Sequence, residues 1–180
     1  MPADLVDLPK FFILSYPRSR TKWLSEALGG LHDGFLGCRS VWDLKERLSH
    51  SHGNSDSSNI LFLDDLRKAF PNGRFLIVHR DPDDVFASMV RCGLDPSCLD
   101  DLEYSMDRAR SFGYPEIDYD AIDSSGPDIW LHCRGEGFNP SRWNNLCHQH
   151  IQVDIPSYLL QVEQEHDALD ALCQTRKSTL

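Results

Sequence analysis

Arg18, Arg20 and Lys22 alternate with Ser19 and Thr21, and that pattern of cations and hydroxyls suits a bound oxyanion such as a phosphate or a sulfate. Arg80 is a second candidate, with Ser88 eight residues further on. In both places the polar residues follow directly on an apolar run, Phe11 to Leu14 in the first case and Phe75 to Val78 in the second. Short continuous apolar runs are expected of strands buried on both faces of a parallel sheet. The spacing after each run predicts a helix: Thr21, Trp23, Leu24, Ala27 and Leu28 in one, Val85, Ala87, Met89 and Val90 in the other. Ser19 is the expected N-cap of the first helix, whose unpaired N–H groups would face the same anion.

The elements between and beyond these two units are those of an α/β chain. Gly29-Gly30 closes the first helix. Gly34 to Cys38 reads as a short strand, Val41 to Leu48 as a helix, and Ile60 to Phe70 as an amphipathic helix stopped by Pro71-Asn72-Gly73. His50 to Asn59, rich in serine, is the expected loop, either a cover for a site or a plain connection. Leu99 to Ser111, Asp128 to Cys133 and Pro140 to Leu146 read as helices, with Trp130 and Trp143 as core anchors, and Ile117 to Ile122 as a late strand. Residues 155–180 read as a C-terminal helix and tail, the helical spacing running from Tyr158 to Leu172. The expectation is one domain over 1–180, a three-layer α/β fold with a parallel sheet. Strands joined by crossover helices present their C-terminal ends, and so Arg18 and Arg80, at one edge.

Composition narrows the partners. The 180 residues carry 18 basic and 28 acidic side chains, a net charge of −10, which argues against broad binding to nucleic acid or to an anionic membrane. No apolar run approaches the roughly 20 residues of a membrane span, and Met1 to Lys10 does not read as a signal peptide, so the expected compartment is the cytoplasm. The six cysteines, at 38, 92, 98, 133, 147 and 173, form no CxxC pair and read as reduced and structural. Cys147-His148-Gln149-His150 lacks a second ligand pair at metal-site spacing and reads as a polar loop. A nucleotide-kinase loop is disfavoured: aligned on that motif, the stretch from Ser15 to Lys22 has neither glycine, Thr21 stands for its lysine and Lys22 for its magnesium-binding hydroxyl.

The stretch Ser15-Tyr-Pro-Arg-Ser-Arg-Thr-Lys-Trp-Leu24 resembles the 5′-phosphosulfate loop of the sulfotransferase superfamily, usually Tyr-Pro-Lys/Arg-Ser-Gly-Thr-Thr-Trp. Phe75-Leu-Ile-Val-His-Arg-Asp-Pro-Asp-Asp-Val-Phe-Ala-Ser88 resembles the same family's 3′-phosphate segment. The likeness covers about residues 10 to 92; later stretches, from Tyr119 onwards, resemble small bacterial and phage-encoded members less specifically. It implies a P-loop NTPase-like sulfotransferase fold and 3′-phosphoadenosine 5′-phosphosulfate (PAPS) as donor, with the bisphosphate PAP as product. It implies transfer to a hydroxyl or amine acceptor that the sequence does not name, without a metal. By the same resemblance Arg18 contacts the phosphosulfate and offsets charge developing in transfer, and Ser19 and Thr21 bond the same group; Arg20 and Lys22 are further cations of the turn on the residues alone, Lys22 equally as a surface cation or a sulfate contact. Trp23 matches the position that stacks on adenine, and is equally well placed to be core. Arg80 and Ser88 match the 3′-phosphate contacts.

Two positions depart from the family pattern. Arg20 stands where the loop has glycine, and arginine does not take positive φ cheaply, so the loop is expected to be right-handed there or the phosphosulfate to sit differently. The family's general base is also missing from its usual place. His32, His50, His52, Glu46 and Asp56 are in range; Asp56 is the first choice, its alternative being a helix cap. A catalytically silent relative that binds the nucleotide or a protein partner is therefore the second expectation. The short chain leaves an acceptor pocket that is open, shared with a partner or completed by a homodimer.

Overall fold

In the computed structural model, which describes residues 8–135, 137–149, 151 and 154–164, the run Phe11–Ser15 forms β1, buried at every position. It pairs in parallel with β4 (Arg74–His79) on one side and β3 (Gly53–Ser55) on the other. β2 (Leu31–His32) lies outside β3 and β5 (Glu116–Asp118) outside β4, giving the all-parallel order β2-β3-β1-β4-β5. Parallel neighbours need crossover connections, and helices make them: α1 (Thr21–Leu28), α2 (Val41–Arg47), α3 (Leu63–Ala69), α4 (Pro82–Arg91) and α5 (Leu99–Ser111). α6 (Gly126–Arg134), α7 (Pro140–Cys147) and α8, residues 155–164, follow the last strand.

Successive strand side chains point to opposite faces, so each apolar run feeds two cores. Phe12, Leu14, Phe75 and Ile77 pack with α2, α3, α4 and α5, through residues such as Leu44, Leu66, Val85 and Met106. Phe11, Ile13, Leu76 and Val78 pack with α1, α6 and α7, through Leu24, Leu28, Ile129 and Trp143. The result is an α/β protein: a five-stranded parallel sheet flanked by helices.

Several elements differ from the expectation. Gly34 to Cys38 is a set of turns, and the second strand is Leu31–His32 instead. The segment 50–59, expected as a loop, contains β3, second to the centre of the sheet. Polar side chains hold it. Asn59 Nδ2 donates to the carbonyl of Ile13 at 2.9 Å and Asn54 Nδ2 to Asn59 Oδ1 at 2.8 Å, while Gly34 N–H donates to Asn54 Oδ1 at 3.1 Å. Ile60 to Phe70 is not one helix; a 3-10 turn (Ser57–Ile60) precedes α3. The late strand is shorter than expected, Glu116–Asp118, and passes into a 3-10 turn, Tyr119–Ala121. The C-terminal helical reading is met over 155–164, and residues 165–180 lie outside the described residues.

Candidate functional site

The loop between β1 and α1 is built on two left-handed residues. Arg18 has φ 64° and Arg20 φ 61°, ψ 26°. Arg20, not Ser19, is the residue that caps α1, without a side-chain cap bond among the described residues. Arginine thus takes the conformation expected of the family's glycine, contrary to the right-handed alternative. Such a residue costs about 1–3 kcal/mol and persists where its surroundings over-determine it. Here they do: Arg20 Nη1 donates to Asp123 Oδ1 at 2.7 Å, and its guanidinium lies 4.3 Å over the Trp23 ring. Left-handed residues set among right-handed ones gather successive N–H groups into a concave anion nest, and the first turn of α1 adds the N–H groups of Thr21, Lys22 and Trp23, which have no intrahelical acceptor.

Arg80 and Ser88 meet this loop in space. Arg18 Nε lies 3.5 Å from Ser88 Oγ, across 70 positions of sequence. Arg80 Nη1 donates to the backbone carbonyl of Arg18, and its guanidinium sits 4.3 Å over the ring of Tyr119. The strand register explains the meeting, because Ser15 at the end of β1 pairs with Val78 near the end of β4. A cavity of about 790 Å³ opens at these strand ends, and Arg18, Arg20, Thr21, Lys22, Arg80 and Ser88 all line it. Against a chain charge of −10, this wall is cationic.

His32 and Asp33 line the same cavity next to Thr21. Thr21 Oγ1 is 3.3 Å from His32 Nε2, and His32 Nδ1 is 3.0 Å from Asp33 Oδ2. Asp33 holds φ 50°, a conformation that aspartate tolerates better than most residues. The sequence placed His32 only within range of the site. No periodicity marks a two-residue strand, and its distance to Thr21 follows from β2 lying beyond β3 in the sheet. Tyr119 was missed altogether; its one signal is that it follows the last strand directly.

Two expected site residues lie off this cavity, and a third, Trp23, lines it from within the core. Ser19 is fully buried and its side chain does not line the cavity; its Oγ has no hydrogen-bond partner among the described residues. Trp23 is 2% exposed, donates from Nε1 to the carbonyl of Leu146 at 2.9 Å and meets Trp143 edge-on at 4.9 Å. It packs in the core between α1 and α7, the guanidinium of Arg20 covers its ring, and it also lines the cavity. Asp56 is the cap it was weighed against: Oδ1 accepts from Ser58 N–H at 2.8 Å and Oδ2 from Phe35 N–H at 3.1 Å. Burial raises its pKa against the pull of those two N–H groups, and it lines a second, smaller cavity instead of the first.

No family model matches the chain, and no curated protein matches it. The class is that of an α/β protein with a cavity at the carboxyl ends of parallel strands, where open sheets of this kind bind ligands. Among the described residues no helix is long and apolar enough to cross a membrane.

Proposed function

We propose that the chain is a PAPS-dependent sulfotransferase of the P-loop type, transferring a sulfuryl group to a hydroxyl or amine. One observation carries the reading: the two segments that resemble the family's 5′-phosphosulfate and 3′-phosphate motifs meet at Arg18 and Ser88, on the wall of one cavity. The residues present fit such a nucleotide. Arg18, Lys22 and the N–H groups of the α1 first turn would hold the 5′-phosphosulfate, and Arg80 with Ser88 the 3′-phosphate. Ser19 adds its backbone N–H to the loop, and its unpaired buried hydroxyl lies beneath it.

When bound, the donor supplies an activated sulfuryl group on a phosphate leaving group. The acceptor oxygen or nitrogen forms the new bond to sulfur while the bond from sulfur to the phosphate oxygen breaks, that oxygen keeping the electron pair. Arg18 offsets the charge building there. His32 replaces Asp56 as the proposed general base: with Nδ1–H donating to Asp33, the Nε2 lone pair beside Thr21 would take the acceptor's proton.

Calorimetry tests the nucleotide assignment. PAP should bind at least ~100-fold more tightly than 5′-AMP, since two bonds to a charged group contribute about 3 kcal/mol or more. Equal affinities would overturn the 3′-phosphate assignment.

A further inference from the structure

The turn that follows β2 carries Asp33, and two side chains that line neither cavity grip it from opposite sides of its backbone. Asn54 Oδ1, on β3, accepts from Gly34 N–H at 3.1 Å. Arg47, at the end of α2, donates from Nη1 to the carbonyl of Gly34 at 2.9 Å and to that of Leu36. We infer that Asn54 and Arg47 are positioning residues: they clamp this turn so that the Asp33 carboxylate stays on Nδ1 of His32 and holds the ring in the tautomer that the candidate base needs. The catalytic half of the inference rests on the sulfuryl-transfer reading; the clamp itself does not.

The direction of the hydrogen bonds makes the clamp specific. Gly34 offers an N–H and Ile13, on β1, a carbonyl, and between them stand two fully buried amides, Asn54 and Asn59. Asn54 must turn Oδ1 to Gly34, which leaves its Nδ2 to donate to Asn59 Oδ1 at 2.8 Å, and Asn59 Nδ2 to donate to the Ile13 carbonyl at 2.9 Å. Flipping Asn54 would set two donors face to face at Gly34 and two acceptors face to face at Asn59, in an interior where unpaired polar groups are costly. The chain of bonds therefore has one orientation. It runs from β1, the strand that leads to Arg18, across β3 to the turn that holds the candidate base.

The turn needs such a hold, because Asp33 sits at φ 50°, a conformation that its surroundings must maintain. Gly34 is fitted to the contact: a Cβ built there would lie 2.8 Å from Asn54 Cγ and 2.9 Å from Leu44 Cδ1. The Asn54 amide thus approaches the backbone more closely than a larger residue at 34 would permit. An imidazole whose Nδ1 lacks an acceptor populates both neutral tautomers. A loose Asp33 would leave Nε2 carrying the proton in part of the molecules, and a protonated Nε2 cannot take one from the acceptor.

The test reads the ring directly, by NMR of the ring nitrogens in histidine-labelled protein at a pH where the ring is neutral, with His32→Asn for assignment. The unsubstituted protein should show the Nδ1–H tautomer alone. Asn54→Ala removes the acceptor of Gly34 and leaves Asn59 on Ile13; it should give mixed tautomers and lower kcat about tenfold or more, with the PAP dissociation constant within twofold. Asn54→Asp keeps an oxygen for Gly34 and loses the donor to Asn59; it should lower the urea midpoint as Asn54→Ala does and yet retain the Nδ1–H tautomer. Arg47→Met, at an exposed residue, should shift the tautomer in the same direction as Asn54→Ala with little loss of stability. Nε2–H as the main form in the unsubstituted protein, an unchanged ring in Asn54→Ala, or mixed tautomers in both Asn54 variants alike would overturn the inference. If neither Asn54 variant folds, Arg47→Met decides: mixed tautomers support the clamp and an unchanged ring overturns it. The underlying reading fails separately. If PAP does not bind, or if labelled PAPS yields no sulfated product from a panel of alcohols and amines, transfer is excluded, and the ring nitrogens still decide whether the clamp holds.

Discussion

His32 illustrates how a residue without a motif comes to hold the central position in a site. Its two ring nitrogens face different partners, Thr21 Oγ1 at 3.3 Å and Asp33 Oδ2 at 3.0 Å, so with the proton on Nδ1 toward Asp33 it is Nε2, beside Thr21, that acts as acceptor. His32→Asn keeps a polar side chain of similar reach but cannot accept a proton at neutral pH. On the proposed sulfotransferase reading it should lower kcat for sulfuryl transfer by about 10²–10⁴ while leaving the PAP dissociation constant within twofold. A variant with unchanged kcat would remove His32 from the reaction. The sequence made Arg18, Arg80 and Ser88 legible because each sits at a fixed offset from a recognisable apolar run. It did not single out His32, since the contact that makes it interesting depends on the sheet order. Asp56 misled for a related reason: a carboxylate in a serine-rich stretch looks accessible, whereas two backbone N–H groups already occupy its oxygens.

β1 and β4 were legible as strands, and β2 and β3 were not. The difference is physical. β1 and β4 are held by apolar side chains on both faces, which leave a continuous run in the sequence. β3 is Gly53-Asn54-Ser55, held by the amides of Asn54 and Asn59 and by close backbone approach, none of which has a periodic signature. Gly53 is the sharpest case: a Cβ built there would lie 2.2 Å from the carbonyl oxygen of Phe11 and 2.5 Å from its ring. Gly53→Ala therefore forces β3 away from β1 and should destabilise the protein by about 3 kcal/mol, measured by urea denaturation. A loss below about 1 kcal/mol would mean that the pairing of β1 with β3 tolerates displacement. Because β2, which carries His32, pairs with β3, the same substitution should also displace His32 from Thr21, and on the proposed reading it should depress transfer activity in whatever fraction remains folded.

The molecule as a whole is acidic and yet holds two half-buried histidines whose protonation the fold disfavours. His52 has its pKa lowered from 6.5 chiefly by burial, then by Arg134 and Lys10. His132 has its own lowered chiefly by burial and also by Arg74, with the carbonyl of Phe75 pulling the other way. Folding thus favours the deprotonated ring at both positions. Above pH 6.5 the contribution of both is fully present. As pH falls below 6.5 the unfolded chain takes up protons that the folded chain does not, and stability drops until the folded-state values are passed. The urea midpoint should decline between pH 7 and pH 5, and His52→Gln should flatten part of that decline. An unchanged slope in the variant would show that His52 is protonated as easily folded as unfolded.

The tie between Arg80 and the carbonyl of Arg18, together with the approach of Arg18 to Ser88, has a kinetic meaning as well. Hydrogen bonds within the protein already set the relative position of the two strand ends, so the nucleotide proposed to span them would encounter a surface shaped by folding and not by its own arrival. Stopped-flow mixing with excess PAP should give one exponential whose rate rises linearly with nucleotide concentration. A rate that saturates would instead reveal a rearrangement interposed between encounter and the final complex.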